Sequence, residues 1–548
     1  MSRTLSPTHA PRPSAGRRTM RRNTWLFVLV AALSVIIAVA LAWRAVASVS
    51  APAPWPTAGW RTTPPEAHGW DSEKLAAGLR TMQANGIAVH SLMLVRDGDV
   101  LLDAYFYPYD GTLYHDLSSV TKSVMTTLIG IAADQGRLSL DDPVLSFFPE
   151  RVIANRDARK ERLTVRHLAG MTSGLACTPE NDEQTLQEMH ASADWVQFTL
   201  DLPMVRNPGT RFEYCSPGMH LLSAILRQVT GLSALEFAQA NLFTPLGIQE
   251  VYWPADGQGN SHGWGDLCLR PPDAAKLGYL FLQEGQWAGR QIVSKEWVAA
   301  ATTPLSPTYL SREEDYGLGW WVSRPGAERQ LFRADGRHGQ TIVVVPDWDL
   351  VLVTTGGGFE TTELDPYLLA AFASPNRALP ANPASVEQLA AAVAEIAQAP
   401  EPQPVKPLPD IAGAISGQTY WFALNDFQVR SLRLDFSTAA LGVGTVTQDA
   451  NNTASAEATF TIDVASEPVP RVAGVGLDGV YRASLAGRPT LARGGWAGDD
   501  TFVVEYSEGP GLSLLLLRLR FEADRVELEL RNHASGLEAR LEGQTQQP

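Results

Sequence analysis

Cysteine, basic charge and metal-binding motifs are all scarce in this chain, and each scarcity excludes a class of protein. Its 548 residues contain only three cysteines, Cys177, Cys215 and Cys268, so the chain is not a disulfide scaffold. No C-x-x-C or H-E-x-x-H motif occurs, and no cysteine or histidine spacing indicates a metal site. With 44 basic against 59 acidic residues the formal net charge is −15, which argues against a general nucleic-acid binder.

One long hydrophobic run does occur, near the start of the chain. Residues 1–24 are rich in Pro, Ser and Arg and are predicted to be disordered in the cytoplasm. Residues 25–43 are long and apolar enough to span a bilayer as a transmembrane helix, and the arginines before them predict that the remainder is exported. We therefore expect a membrane-anchored protein whose folded part is extracytoplasmic. The alternative is a secreted protein, released by signal cleavage at Ala45-Val46-Ala47.

Composition divides the rest of the chain into four segments. Residues 44–65 read as a Pro- and Ala-rich linker, and residues 66–375 carry mixed helix and strand signals. Residues 376–409 hold a short Ala-rich helix followed by a Pro-rich linker. From residue 410 to residue 548 nearly every segment alternates apolar and polar residues, which predicts a small all-β barrel or sandwich.

The mixed segment has strand signals at both of its ends and helices between them. Two strands flank Asp97-Gly98, a typical hairpin turn. After the helical middle, three further strands precede a final helix; we predict them at residues 318–322, 341–345 and 350–355. This order predicts an α+β fold in which one antiparallel sheet is assembled from both ends of the domain, rather than a doubly wound parallel sheet.

A serine and a lysine one helical turn apart form the first chemical candidate. Apolar residues recur at helical spacing after Ser119, which predicts a helix that starts there and stops before Gly136. Lys122 then lies one turn further along the same face. A serine hydroxyl needs a base, and lysine can serve only if its pKa is lowered by burial or by neighbouring cations. The alternative is a helix cap followed by a surface lysine.

Two further segments could complete such a site. Tyr214 could relay a proton beside a serine and a lysine, although a half-buried aromatic side chain in a turn is the alternative. Gly339 precedes a predicted strand and would let a substrate lie against the strand edge, where a backbone N–H could complete an oxyanion hole. A glycine-rich turn before a strand is the alternative there.

Together these elements resemble the β-lactamase-related serine hydrolases, the family of penicillin-binding DD-peptidases, class C β-lactamases and related esterases and amidases. The resemblance extends from Glu66 to Phe372 and includes the S-x-x-K motif at 119–122 and the segments 163–175, 208–214, 274–278 and 316–321. It implies an antiparallel sheet flanked by helices, with a helical subdomain and no metal or cofactor.

The resemblance also implies roles for particular residues. Ser119 would be the acylated nucleophile, Lys122 its base, and Tyr214 the tyrosine of a Y-x-N motif. The oxyanion hole would use the backbone N–H of Ser119 and one near Gln340. The implied activity is hydrolysis of a small-molecule ester, amide or peptide through an acyl-enzyme.

Two positions depart from the family's pattern. Ser216 replaces the asparagine of Y-x-N, and Arg337-His338-Gly339, or a neighbouring register, replaces the K-T-G motif. In lactam-binding members that lysine and threonine help hold the substrate carboxylate, so their loss favours the esterase and amidase branch. We predict that Ser216, His338, Gly339 and Gln340 line the substrate site, although His338 could instead only pack its loop. The alternatives are a cell-wall DD-peptidase or weak β-lactamase, and a non-catalytic binding protein.

Three cysteines permit at most one disulfide bond. We predict Cys177 with Cys268, because both lie in segments that we place near the active site. Three buried thiols are the alternative.

Overall fold

The computed structural model describes residues 55–546 except 179, 309–312, 376, 426, 437–456, 465–468, 485–488, 509–513, 523 and 533–537. The predicted disordered segment at 1–24 and the predicted transmembrane helix at 25–43 lie outside the described residues. Within those that are described, no single helix has the length and hydropathy of a membrane span. Only the bent pair Ser216–Thr230 and Ala234–Leu246 reaches them together.

The strands of the first region are short at its edges and long at its centre. They are β1 Arg61–Thr62, β2 Val89–Arg96, β3 Asp99–Tyr105, β4 His115–Asp116, β5 Cys268–Leu269, β6 Gln286–Trp287, β7 Arg290–Gln291, β8 Ser306–Pro307, β9 Glu314–Tyr316, β10 Trp321–Ser323, β11 Phe332–Gly336, β12 Gln340–Val345 and β13 Leu350–Gly356. Nine of these described strands form one sheet in the order β1-β3-β2-β13-β12-β11-β10-β9-β8. All its pairs are antiparallel except β1 with β3.

The sheet joins both ends of the domain, as predicted, because β2 pairs directly with β13. Both of its faces are buried. On β2, Met93 and Val95 belong to one hydrophobic cluster and Leu92 and Leu94 to another. Successive side chains of a strand point to opposite faces, so a strand covered on both sides is apolar throughout.

Helices cover the two faces of the sheet and form the middle of the region. They are α1 Ser72–Ala84, α2 Val120–Asp134, α3 Val165–Ala169, α4 Glu180–Ala191, α5 Trp195–Asp201, α6 Ser216–Thr230, α7 Ala234–Ala238, α8 Thr244–Leu246, α9 Pro271–Leu282, α10 Lys295–Ala301, α11 Asp365–Ala371 and α12 Pro383–Ile396. A π-helical turn at Gln239–Phe243 links α7 to α8. α9 packs on β12 and β13, whereas α11 and α12 pack on α1.

The helix predicted after Ser119 is the central helix of this region. Every residue of α2 from Val120 to Ala132 is buried. The apolar periodicity therefore predicted the helix correctly but did not show that its polar face is enclosed as well. The helix ends at Asp134, and Gly136 follows in the left-handed conformation at φ +68°.

One predicted strand is displaced. Residues 318–322 were expected to be extended, but β10 starts only at Trp321, and the N–H of Gly317 donates to the carbonyl of Trp320 across a turn (2.8 Å). Gly319 adopts φ +81°, and a Cβ atom there would lie 2.2 Å from Thr126 Oγ1. The turn forms because glycine alone allows this conformation so close to α2. The prediction also omitted β9 and β11.

The predicted linker at 44–65 is too long. Residues 55–65 belong to the folded region, since Trp287 Nε1 donates to Thr57 Oγ1 (2.8 Å) and Trp60 Nε1 donates to the carbonyl of Pro272 (2.9 Å). The Trp55 ring also packs against Trp287 with centroids 5.3 Å apart. Burial of the aromatic rings stabilises this segment against the folded region. A Pro- and Ala-rich composition alone does not predict this.

The C-terminal region is all-β after one short helix, α13 Asp410–Ile415. Its strands are β14 Thr419–Phe422, β15 Val429–Phe436, β16 Ala458–Val464, β17 Arg471–Val475, β18 Arg482–Ser484, β19 Thr490–Trp496, β20 Thr501–Glu508, β21 Leu514–Glu522, β22 Arg525–Asn532 and β23 Glu538–Gln544. The ten described strands follow the order β17-β16-β15-β14-β23-β22-β21-β20-β19-β18, and a bridge between Gly476 and Arg493 brings the two ends together. The sheet is thus a nearly closed barrel, one of the two predicted forms.

Candidate active site

Ser119 and Lys122 meet at the N-terminus of α2. Ser119 occupies the N-cap position, and Lys122 Nζ donates hydrogen bonds to Ser119 Oγ and to the carbonyl of Trp264, both at 2.8 Å. The lysine is only 2% exposed. The one-turn spacing predicted from the sequence therefore places the amine directly on the serine hydroxyl.

Burial changes the acid–base chemistry of this lysine. Desolvation lowers the pKa of Lys122 to about 8, and the nearby positive charge of Arg337 acts in the same direction. The carboxylates of Glu183 and Asp266 oppose this effect. Because the pKa lies close to neutrality, a useful fraction of Lys122 is uncharged at neutral pH and can accept the proton of Ser119.

The turn before the nucleophile is held by hydrogen bonds rather than by packing alone. Ser118 adopts φ +48°, and its N–H donates to Asp116 Oδ1 at 2.7 Å. The N–H of Leu117 donates to the carbonyl of Leu267 at 2.9 Å, which extends the pairing of β4 with β5. These contacts hold Ser119 at the N-terminus of α2. They also hold Ser118 in the left-handed region of backbone conformation, which is costly for a residue with a β-carbon.

Tyr214 reaches the same place from the turn before α6. Its ring lies under Lys122, with the ammonium nitrogen 4.7 Å from the ring centroid. Burial raises the pKa of Tyr214 well above its usual range, and the neighbouring Ser119 hydroxyl only partly offsets this. The phenol therefore stays protonated at neutral pH and can act as a proton donor.

The strand segment closest to the nucleophile is the end of β11. A Cβ atom on Gly336 would lie 3.0 Å from the backbone nitrogen of Ser119 and 2.6 Å from the carbonyl oxygen of Leu117. Only glycine allows the strand to approach this turn so closely. The sequence singled out Gly339 as the glycine beside which a substrate would lie, whereas the close backbone approach to the nucleophile turn is made by Gly336.

His338, Gly339 and Gln340, which were predicted to line the substrate site, each have defined surroundings in the structure. A Cβ atom on Gly339 would lie 2.4 Å from the Phe359 ring, so Gly339 makes room for that ring. Gln340 is fully buried, and its side-chain amide bonds the carbonyls of Arg337 and Gly356 and accepts from the N–H of Gly356. His338 is half-buried at φ +65°.

Ser216 is not placed where a substrate could touch it in this structure. It is the first residue of α6 and is fully buried, and its hydroxyl has no hydrogen-bond partner among the described residues. Ser216 was predicted to line the substrate site, and here its side chain is enclosed by the protein. Pro217, in the first turn, favours a helix start at this point.

Two carboxylates that sequence reasoning missed lie at the site. Asp335 Oδ1 on β11 accepts hydrogen bonds from Thr341 Oγ1 (2.7 Å) and Arg333 Nη1 (3.0 Å), and burial raises its pKa. Glu183 on α4 is close enough to raise the pKa values of both Lys122 and Tyr214. Asp335 directly precedes Gly336, so a K-T-G register counted from that glycine would have revealed it.

The disulfide bond joins Cys177 to Cys215, with Cα atoms 5.4 Å apart, and the predicted pair Cys177–Cys268 is wrong. The N–H of Glu213 donates to the carbonyl of Met171 (2.8 Å), which brings the two loops that carry the bonded cysteines together. Cys268 instead lies on β5 opposite Asp116, with its thiol 3.7 Å from the carbonyl of Asp266.

Among the residues that the structure describes, no group of three or more His, Cys, Asp or Glu side chains is arranged to hold a metal ion.

Comparisons with known proteins identify relatives for the first region. The Beta-lactamase family model matches residues 75–371, more than half of the chain. The 6-aminohexanoate-dimer hydrolase of Paenarthrobacter ureafaciens is 25% identical over 280 residues, which cover 48% of this chain and 71% of that protein. An uncharacterized protein of Alkalihalophilus pseudofirmus is 25% identical over 288 residues, covering 47% and 78%. The solved octameric penicillin-binding protein homologue from Pyrococcus abyssi is 18% identical with a TM-score of 0.45, covering 85% of this chain and 98% of that one.

Proposed function

Since this chain belongs to the β-lactamase family of serine hydrolases, we propose that it cleaves an ester or amide bond through an acyl-enzyme on Ser119. The observation that carries this proposal is the 2.8 Å hydrogen bond between Lys122 Nζ and Ser119 Oγ in a buried setting that lowers the pKa of the lysine to about 8. A surface lysine beside a helix cap would have neither property.

Proton transfer in the proposed reaction involves the side chains of Ser119, Lys122 and Tyr214. Neutral Lys122 takes the proton of Ser119 as Oγ bonds to the substrate carbonyl carbon. Tyr214, protonated and beside Lys122, passes a proton to the leaving alcohol or amine as the carbon–oxygen or carbon–nitrogen bond breaks, and is reprotonated from Lys122. Water then attacks the acyl group in the reverse sequence, releases the acid and restores the serine hydroxyl.

The tetrahedral intermediate needs two donors for its oxyanion. We assign these to the backbone N–H of Ser119, at the positive end of α2, and to that of Arg337, which directly follows Gly336. The close approach of Gly336 to the nucleophile turn, where a Cβ atom would lie 3.0 Å from the Ser119 nitrogen, supports this pair over one that uses the fully buried Gln340.

The charges at the site favour an ester or amide over a penicillin. A penicillin carries a carboxylate, and the register Ala334-Asp335-Gly336 offers it a carboxylate in place of a lysine and a threonine. Glu183 adds a second negative charge at the site. Like charges repel, so these two carboxylates disfavour an anionic lactam, whereas the Arg337 guanidinium at the same site acts in the opposite direction. A relative named 6-aminohexanoate-dimer hydrolase lends support to a substrate outside the lactams.

Two further features support a location of the enzyme outside the cytoplasm. Residues 25–43 have the composition of a membrane anchor, with arginines on the side predicted to be cytoplasmic. The Cys177–Cys215 disulfide supports an oxidising compartment for the catalytic region. We therefore place the hydrolase on the outer side of the membrane, held by this anchor unless a signal peptidase removes it.

A serine-directed label tests the proposal. The chain from residue 48 is treated with a fluorophosphonate probe, and the adduct is located by mass spectrometry, alongside turnover of p-nitrophenyl esters, an anilide and nitrocefin. We expect an adduct on Ser119 and turnover of the ester without turnover of nitrocefin. Ser119→Ala should lose both the adduct and the turnover while keeping its melting temperature. Turnover in that variant would contradict the mechanism, and efficient nitrocefin hydrolysis would favour the β-lactamase alternative.

A further inference from the structure

Two histidines lie behind the nucleophile turn and are hydrogen-bonded to each other. His90 on β2 and His115 on β4 meet with Nδ1 of the first 2.9 Å from Nε2 of the second. His115 Nδ1 lies 3.0 Å from the carbonyl oxygen of Asp116, and the ring is only 3% exposed. The mechanism above uses neither ring.

The Asp116 carbonyl determines which nitrogen donates and which accepts in these two hydrogen bonds. A carbonyl oxygen can only accept, so His115 Nδ1 carries the proton and its Nε2 is the acceptor. His90 Nδ1 must therefore donate to His115. Burial lowers the pKa values of both rings, which keeps the pair neutral and this arrangement intact near neutral pH.

At one end, this series of hydrogen bonds reaches the turn that carries the nucleophile. Asp116, whose carbonyl accepts from His115, also accepts the N–H of Ser118 on its carboxylate at 2.7 Å. Ser118 at φ +48° leads directly into Ser119. A shift of Asp116 would therefore be transmitted through the hydrogen bond to Ser118 and the backbone that follows it to the Ser119 hydroxyl, where small displacements have large effects on rate.

The other end reaches the barrel. The Tyr109 ring stacks on His90 with centroids 3.7 Å apart and planes 20° apart. The loop that carries Tyr109 is held by the barrel, since Tyr107 Oη accepts the N–H of Tyr481 at 3.0 Å. Ser507 on β20 lines the same cleft as Tyr109, about 350 Å³ in volume. The barrel thus contacts the loop that supports His90.

We propose that the C-terminal barrel positions the nucleophile through Tyr109, His90, His115 and Asp116, and that His90 and His115 are positioning residues for the acylation of Ser119. The proposal rests on the proposed function, because it assumes that Ser119 is acylated. It assigns to the barrel a part in the reaction that requires no ligand of its own.

Paired substitutions at position 90 of the full chain test the relay. His90→Leu removes the donor, and we expect kcat for a p-nitrophenyl ester and the rate of fluorophosphonate labelling to fall about tenfold, with KM within about twofold of the wild type. His90→Asn offers an amide N–H at the place of Nδ1 and should recover most of this loss. A merely structural role would not produce rescue by the conservative variant at equal melting temperature.

Two further variants distinguish a loss of the relay from a loss of folding. Tyr107→Phe deletes only the hydroxyl that accepts from Tyr481, and we expect kcat to fall about threefold. His68→Leu makes the same change as His90→Leu at a histidine that bonds Asp97, away from this chain of contacts, and should leave kcat unchanged.

The outcomes separate the relay from the nucleophile. A His90→Leu enzyme with wild-type kcat would overturn the relay, as would an equal loss in His68→Leu or a folded His90→Asn enzyme without recovery. Turnover in Ser119→Ala would overturn the proposed function itself. An inactive Ser119→Ala with an unaffected His90→Leu would leave the nucleophile assigned and remove only the role of the barrel.

Discussion

The barrel and the hydrolase region differ in how their charged side chains are partnered. In the barrel, charged side chains form ion pairs, at the surface for Arg433 and Asp435 (2.7 Å, 47% and 35% exposed) and below it for Arg482, which bonds Glu457 and Asp478. Its interior holds apolar rings such as Phe460 and Phe502. The hydrolase region instead buries Lys122 at the end of its central helix. Burying a lysine is unfavourable, and at Lys122 the geometry connects that cost to function, because its amine donates to Ser119 Oγ, whereas the equally buried Lys160 donates only to backbone carbonyls.

The largest effect is expected where this contrast is strongest. Lys122→Met should lower kcat/KM for an ester by about 10⁴-fold, because the base is lost. The same change should raise the free energy of unfolding by about 1–3 kcal/mol at pH 7, since a charge no longer has to be desolvated. Ester kinetics and urea unfolding of the variant measure the two effects. Loss of activity together with a lower stability would show that the lysine is structural.

A second test uses the buried histidines, which the described barrel residues lack. The pKa of His115 is lowered to about 3 by burial, so below pH 6.5 the unfolded chain binds a proton that the folded chain does not. Its contribution to stability is complete above pH 6.5 and falls as the pH drops. We expect a loss of about 2 kcal/mol between pH 6.5 and pH 5 from this residue.

Urea unfolding of the wild type and of His115→Phe at both pH values checks this expectation. The variant should show a smaller difference between the two pH values than the wild type. Equal differences in the two proteins would place the acid sensitivity elsewhere.

The pH dependence of activity should report on the same buried lysine. Lys122 must be neutral to accept the proton of Ser119, and its pKa is about 8. We expect kcat/KM to rise about tenfold per pH unit below pH 8 and to level off above it. Tyr214 adds no rise in this range because burial keeps it protonated. A profile that is flat from pH 6 to pH 9 would exclude Lys122 as the base.

The smallest effect is expected on the barrel surface. Arg433→Met breaks the exposed pair with Asp435 and should change the free energy of unfolding by less than about 0.5 kcal/mol, with no change in kcat. It is the matched control for Lys122→Met, since both replace a cationic side chain with the same apolar one. A change of several kcal/mol would show that this exposed ion pair contributes as much to stability as a buried group.

Local patterns in the sequence predicted much of the fold. The hairpin at Asp97-Gly98, the helix after Ser119 and the alternation of the C-terminal strands all follow from the spacing of apolar residues and from turn residues a few positions apart. The prediction was wrong at residues 318–322, where the apolar pattern resembles a strand but Gly319 lies against Thr126. That contact joins segments far apart in the chain, and periodicity contains no information about it.

Within the site, the sequence by itself determined the pair Ser119 and Lys122, because their spacing is one turn of a single helix. Only the tertiary structure decided that Gly336 rather than Gly339 approaches the nucleophile, that Cys177 bonds Cys215, and that Asp335 faces the site. It also decided the pKa of Lys122, because desolvation depends on which segments of the folded chain exclude water from the amine, whatever their order in the sequence.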